Sequence, residues 1–223
     1  MDKKIIDFLE ELSQNNHKTW FDENRKKYEI CKDIFKTFVE GLIYEVSQFD
    51  ENIKGLLPQN CVFRINRDVR FSKDKSPYKT NFGTILQKGG KKTLFAGYYI
   101  HIEPNGGAFI AGGLYTPPND VLVKIRQEID YNFSDFLKII ENNDFQKTFG
   151  NLRGEKLAKA PKGYAIENPA IEFLKMKSLI AWHEIPENIL LESDNFIQYV
   201  VNICKKMKPF LDFVNVIFEE NEK

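Results

Sequence analysis

Two glycine-rich turns limit what this chain can fold into. Lys88-Gly89-Gly90-Lys91-Lys92 and Glu103-Pro104-Asn105-Gly106-Gly107 each follow a short apolar run, and Asn-Gly between two such runs is the strongest short-range hairpin signal. The runs at residues 82–87, 94–102 and 108–115 are thereby folded back on one another. A preceding run at 61–71 carries Phe63, Ile65, Val69 and Phe71 at alternate positions apart from Arg67, and reads as a strand leading into them. Residues 73–77 must then leave the sheet, because Pro77 cannot donate to a ladder. With residues 178–183 as an extra strand, the pattern predicts an antiparallel β-meander of four to five strands.

The remaining chain is helical in period. Ile5, Ile6, Phe8, Leu9 and Leu12 predict a helix over 3–13, and Asn16 is placed to cap the next one. Trp20, Asn24, Tyr28, Cys31, Phe35, Phe38, Leu42 and Val46 trace one stripe without a proline, so a single long amphipathic helix is expected over 18–48, with Trp20 and Tyr28 as packing residues. Thr116 as N-cap and Pro117 at the first position open a helix to about 131. Further helices are expected at 134–142 and 168–177. A last one begins at Asp194, and Pro209 should kink or split it. With no repeat, low-complexity stretch or linker, the expectation is one α+β domain over residues 1–223, its sheet covered by long helices.

Composition matters here mainly for what it excludes. There is no run of about eighteen apolar residues to span a membrane. The opening Met1-Asp2-Lys3-Lys4-Ile5-Ile6-Asp7 has no secretory core. Cys31, Cys61 and Cys204 are widely spaced and odd in number, so reduced thiols in a cytoplasmic protein are expected. Net charge is zero but unevenly spread. Residues 1–60 carry 9 basic and 12 acidic side chains, residues 61–92 carry 9 and 2, and residues 93–223 carry 14 and 18. One basic island in a neutral protein suggests a local anion site rather than a surface made for duplex DNA.

That island contains the main candidate site. Six basic residues lie between Arg64 and Lys79, against Asp68 and Asp74. Strand alternation would send Arg64, Asn66, Asp68 and Arg70 to one face, where the arginines' planar forks suit a phosphate or carboxylate. Arg67, Lys73, Lys75, Tyr78 and Lys79 would complete the binding set from the loop beyond. The alternative is an internal ion-pair network with Asp68, Asp74 and acids of the first helices.

Tyr99, His101 and Glu103 share parity on the next strand but one, so His101 is a candidate general base oriented by Glu103, with Tyr99 and Asp68 as catalytic partners. Ala111-Gly112-Gly113 ahead of Thr116 offers close backbone approach, as a strand kink or an anion cradle. Lys162-Gly163-Tyr164, with Lys175 and Lys177, is by default a solvated surface. No nucleotide-binding glycine motif is present and the three histidines have no ligand spacing, so the sequence names no cofactor and predicts no metal site, although carboxylates could assemble one in three dimensions.

Five stretches together resemble one family. They are Asn15-Asn16-His17-Lys18-Thr19-Trp20-Phe21, the basic segment from Phe63 to Lys79, Gly97-Tyr98-Tyr99-Ile100-His101-Ile102, Ala111-Gly112-Gly113-Leu114-Tyr115 and Ala160-Pro161-Lys162-Gly163-Tyr164. The chain is similar over nearly its whole length to the domain-of-unknown-function 2461 family, a group of uncharacterised proteins. The resemblance implies a single cytosolic domain and carries no catalytic role. An enzyme or receptor for a small anionic ligand is the favoured expectation. A nucleic-acid or protein-binding module, with Phe71, Tyr78 and Phe82 interleaved among the cations, is the alternative. A purely structural ion-pair network is the third reading.

Overall fold

The computed structural model describes residues 1–192 and 195–219. Among these, ten α-helices accompany a four-stranded antiparallel meander of order β1-β2-β3-β4. The strands are β1 (Phe82–Leu86), β2 (Gly97–Ile102), β3 (Phe109–Leu114) and β4 (Leu179–Glu184). The β2–β3 turn takes the form its sequence predicts. Asn105 and Gly106 both have positive φ, 58° and 76°, and Gly107 N–H donates to the Pro104 carbonyl. This is the hairpin geometry that Asn-Gly favours.

The chain forms two compact units whose segments alternate along the sequence. The first comprises Met1–Lys92, Tyr99–Ile110 and Glu184–Asn202. It holds α1 (Lys3–Gln14), α2 (Lys18–Glu23), α3 (Arg25–Ser47), α4 (Pro58–Cys61), β1 and α9 (Glu187–Glu192). Its core joins Phe8 to Trp20, Phe21 and Tyr28, and Phe35 to Phe82 of β1. The second comprises Thr93–Tyr98, Ala111–His183 and Ile203–Lys223. It holds α5 (Asn119–Tyr131), α6 (Phe133–Ile140), α7 (Asn143–Phe149), α8 (Ile171–Leu174) and most of α10 (Phe196–Glu219). There Phe136 packs on Phe213, and Phe145 on Phe210.

Several expectations are corrected. The single helix expected over 18–48 is two, separated at Asn24, whose φ of −100° and ψ of 14° leave the helical range. Asn16 does not cap α2. His17 does, its Nδ1 accepting from Trp20 N–H at 3.3 Å, because Asn16 is engaged elsewhere. The helix expected from Thr116 starts at Asn119 with Pro118 as cap; Thr116 takes a φ of 43° and donates its N–H to Ser178. α10 runs unbroken through Pro209, where buried Met207, Phe210, Leu211 and Val214 offset the missing backbone bond. Its expected start at Asp194 lies outside the described residues. The helix expected over 168–177 shortens to the single turn of α8.

Candidate functional site

The run at 61–71 is not a regular strand, and the reason determines where the site lies. Val62 bridges Thr84 and Asn66 bridges Tyr78, both antiparallel. Four residue steps on one side, 62 to 66, therefore face six on the other, 78 to 84. Phe63 N–H donates to the Gly83 carbonyl at 2.9 Å and Lys79 N–H to the Ile65 carbonyl at 2.8 Å, which leaves Arg64 opposite residues 80–82. The excess is a bulge, and a bulge re-aims side chains that a continuous ladder would alternate. Here it turns Thr80 and Asn81 toward β2.

There they meet the constellation expected from parity. His101 Nε2 lies 2.9 Å from Glu103 Oε2, and Thr80 Oγ1 donates to Glu103 Oε1 at 2.6 Å. On the other side of the ring, Tyr99 Oη lies 3.1 Å from His101 Nδ1 and Asn81 Nδ2 lies 3.3 Å from it. These partners assign the tautomer. Glu103 can only accept, so Nε2 carries the proton, and Nδ1 accepts from Tyr99 and Asn81. The imidazole stacks on Phe109 at 4.4 Å, and Phe63 meets the Tyr99 ring at 5.9 Å. Burial lowers the His101 pKa from 6.5, Glu103 opposes the shift, and the charge of Lys79 reinforces it. Burial, with Glu103 adding to it, pushes the Tyr99 hydroxyl up to about 12. The ring is neutral near pH 7, and the hydrogen bonds run Tyr99 to His101 to Glu103.

The Lys79 ammonium adjoins this relay, and Arg64 lies near Lys79. Lys79 is half-buried, with Nζ 5.5 Å from the Phe63 ring centre, and its pKa is lowered by burial and then by the neighbouring Arg64 guanidinium. Among the described residues no carboxylate lies within ion-pair distance of either Arg64 or Lys79. The distal part of the motif is different. Arg67 ion-pairs with Asp74, whose carboxylate also accepts from Ser76 N–H and Oγ and is held well below the usual carboxylate range. Arg70 grips Asp68 through Nε at 3.0 Å and Nη2 at 2.7 Å, and this, with a smaller contribution from the Arg64 charge, lowers the Asp68 pKa. Lys75 Nζ donates to the Val69 carbonyl. Lys73 is exposed and bonds to nothing among the described residues.

Of the expected site residues, then, Tyr99 and His101 come together, Lys79 stands near them, and Arg64 lies near Lys79. Asp68, Arg67, Arg70 and Lys75 close a separate loop. Asn66 is exposed and supplies a backbone bridge. Tyr78 is buried in the core. Its ring stacks on Phe21 at 3.9 Å and 14°, and its backbone N–H and carbonyl both bond the Asn16 side chain. The motif is thus tied to α2 by stacking and an amide clamp. Among the described residues no ion pair links it to α1–α3, whose cations include Arg25, Lys27 and Lys32 paired to Asp22, Glu11 and Glu29.

Alternation along β2 pointed to Tyr99, His101 and Glu103, but nothing marked Thr80, Asn81 or Phe109 as their partners, because a bulge has no period to read. The Gly112–Gly113 pair serves packing in the second unit: a Cβ on Gly112 would collide with Met207, and one on Gly113, at φ 126°, with the Leu179 carbonyl of β4. Lys177 pairs with Glu155, and Lys175 lies 3.7 Å from Glu172. The cavity beside Phe38, Tyr44 and Phe196 takes no lining residue from the basic motif, nor does the one beside Gln146, Lys156 and Glu172. The candidate site therefore rests on the side-chain contacts around His101 and not on either of these cavities. Among the described residues no cluster of His, Cys, Asp and Glu could hold a metal ion.

A family model described as a conserved hypothetical protein, DUF2461, matches residues 4–213. No curated protein and no solved structure matches the chain.

Proposed function

This chain belongs to the DUF2461 family of conserved hypothetical proteins, and from its site chemistry we propose that it is an enzyme or receptor for a small phosphate- or carboxylate-bearing ligand. The ligand binds at Arg64 and Lys79 and exchanges a proton with the Tyr99–His101–Glu103 relay. One observation carries the reading: the Arg64 guanidinium lies close enough to lower the pKa of the half-buried Lys79 ammonium, and among the described residues no carboxylate is within ion-pair distance of either. A half-buried ammonium beside a second cation is a place where an anion is favoured. Arg64 supplies a planar fork for two oxygens, and Lys79 supplies a point charge.

The relay provides the acid–base step. A ligand proton passes to Tyr99 Oη, whose own proton moves to His101 Nδ1, and Glu103 holds the resulting imidazolium. Titration with phosphate, sulfate and simple carboxylates, followed by amide and side-chain NMR, tests the reading. Saturable shifts at Arg64 and Lys79 are expected, and flat spectra at both would remove the proposal.

A second reading rests on Phe71, which is 97% exposed at the tip of the basic loop with the Arg70 guanidinium 5.9 Å from its ring. It would stack on a base of single-stranded nucleic acid. Tyr78 and Phe82, expected to share that work, are buried. Binding of short single strands that weakens steeply with salt would favour this reading, and salt-independent or absent binding would end it. Three buried cysteines outside any disulfide suit a reducing compartment such as the cytoplasm. Among the described residues no helix is long and apolar enough to cross a membrane.

A further inference from the structure

We infer that Lys79 is an imine-forming amine and that the ligand of this face is a carbonyl compound carrying a carboxylate or phosphate. The inference rests on the anion-site reading above and specifies its chemistry. Among the described residues, Arg64, Lys73 and Lys79 are the motif cations with neither an acid partner nor a backbone acceptor for their charge. Lys73 is exposed, and Arg64 cannot act as a nucleophile. Lys79 alone joins an amine to partial burial, an aromatic wall in Phe63 and a neighbouring fixed cation. Desolvation and an adjacent cation are the two means by which a lysine amine becomes available as a nucleophile near neutral pH. Both lower the Lys79 pKa from 10.5.

The relay supplies what an amine needs to complete the reaction. Lys79 gives up a proton and its lone pair forms a C–N bond to the carbonyl carbon. The carbonyl oxygen becomes the hydroxyl of a carbinolamine. That hydroxyl then takes up the proton that Lys79 released and leaves as water, giving the protonated imine. No oxidant or second substrate is consumed. Tyr99 Oη, 3.1 Å from His101 Nδ1, can hold the proton between the two steps by passing its own to the ring, where Glu103 faces Nε2 at 2.9 Å. Arg64 meanwhile holds the anionic end, so that the carbonyl carbon lies over the amine.

Glyoxylate and pyruvate serve as probes, with acetaldehyde as a carbonyl lacking the anion. Each is incubated with the whole protein, reduced with cyanoborohydride and located by peptide mass mapping. The expected result is a Lys79 adduct with glyoxylate at least about tenfold ahead of surface lysines, suppressed by inorganic phosphate and reduced in Arg64→Gln. Lys79→Arg keeps the positive charge, so it should still bind phosphate while yielding no adduct at that position. Phosphate binding with label spread evenly over the lysines would overturn the inference and leave the anion site standing. Labelling of Lys79 by acetaldehyde as fast as by glyoxylate, without phosphate protection, would instead remove the anion site and with it this ligand class.

Discussion

The two halves of the basic motif use the same residue types to opposite ends. From Arg67 to Ser76 the chain curls on itself, and its two aspartates lie within reach of Arg67 and Arg70. Lys79 and the two neighbours of Arg64, Phe63 and Ile65, are instead held by backbone bonds across a bulge, and among the described residues no acid lies within ion-pair distance of Arg64 or Lys79. Arg67 donates its backbone N–H to the Pro77 carbonyl and still reaches Asp74, so it is the placing of both aspartates inside the loop, not backbone freedom, that separates the halves. The motif is therefore one closed loop and one open pair of cations. Tyr78 lies at the boundary between them.

The largest expected effect comes from removing that boundary. Tyr78 is 6% exposed and stacked on Phe21, so Tyr78→Ala should cost about 3–5 kcal/mol in urea unfolding. Asn16→Ala leaves the Tyr78 N–H and carbonyl without their clamp and should cost about 1–3 kcal/mol. Loss of Asn16 with no change in midpoint would mean that the loop does not depend on α2.

Next comes the charge itself. Arg64→Ala should weaken phosphate binding by about 10- to 100-fold, the worth of one or two hydrogen bonds to a charged group. Arg70→Ala should leave it nearly unchanged, since Arg70 already holds Asp68. Arg64 is exposed and, among the described residues, within ion-pair distance of no acid, so its removal should shift stability by less than about 0.5 kcal/mol. A structural ion-pair network would require several times that loss. Equal weakening by the two substitutions would erase the contrast between the halves.

How far this contrast was legible in the sequence depends on the kind of signal. Asn105-Gly106 fixed a turn because backbone conformation at two positions is a local property, and the parity of Tyr99, His101 and Glu103 followed from strand geometry. The pairing of Arg70 with Asp68, two residues away, needed only the loop to bend. Arg64 facing Thr80 and Asn81 was not legible. It depends on two extra residues between Tyr78 and Thr84, and alternation read along 61–71 assumes there are none. The capping role of Asn16 failed for a related reason: a long-range partner, the Tyr78 backbone, took the side chain that local rules assign to α2.

A smaller effect should appear in the pH dependence of stability. The folded pKa of His101 lies below its ordinary 6.5, so between the two values the unfolded chain holds more protons than the native one. Stability is then complete above 6.5 and declines as pH falls through that value toward the folded pKa. Protonated Nδ1 can no longer accept from Tyr99, so the relay must reverse at the same time. Against His101→Gln, which does not titrate there, the parent should lose melting temperature as pH drops from about 7.5 to about 5. Parallel profiles for the two proteins would show that burial does not govern this histidine.

The smallest expected effect concerns Phe71. A phenylalanine that is 97% exposed gives the fold almost no buried area, so Phe71→Ala should change unfolding free energy by less than about 0.5 kcal/mol. It should leave phosphate affinity unaltered as well, because the ring lies in the closed half, beside Arg70 and away from Lys79's aromatic wall, Phe63. Phe71→Ala thus separates the two functional readings in a single protein. A small anion recognised at Arg64 and Lys79 is indifferent to the loss of this ring. A single-stranded nucleic acid stacked on it should lose about 1–3 kcal/mol of binding. If Phe71→Ala instead weakens phosphate binding, the loop closes over the anion, and the two halves of the motif work together rather than apart.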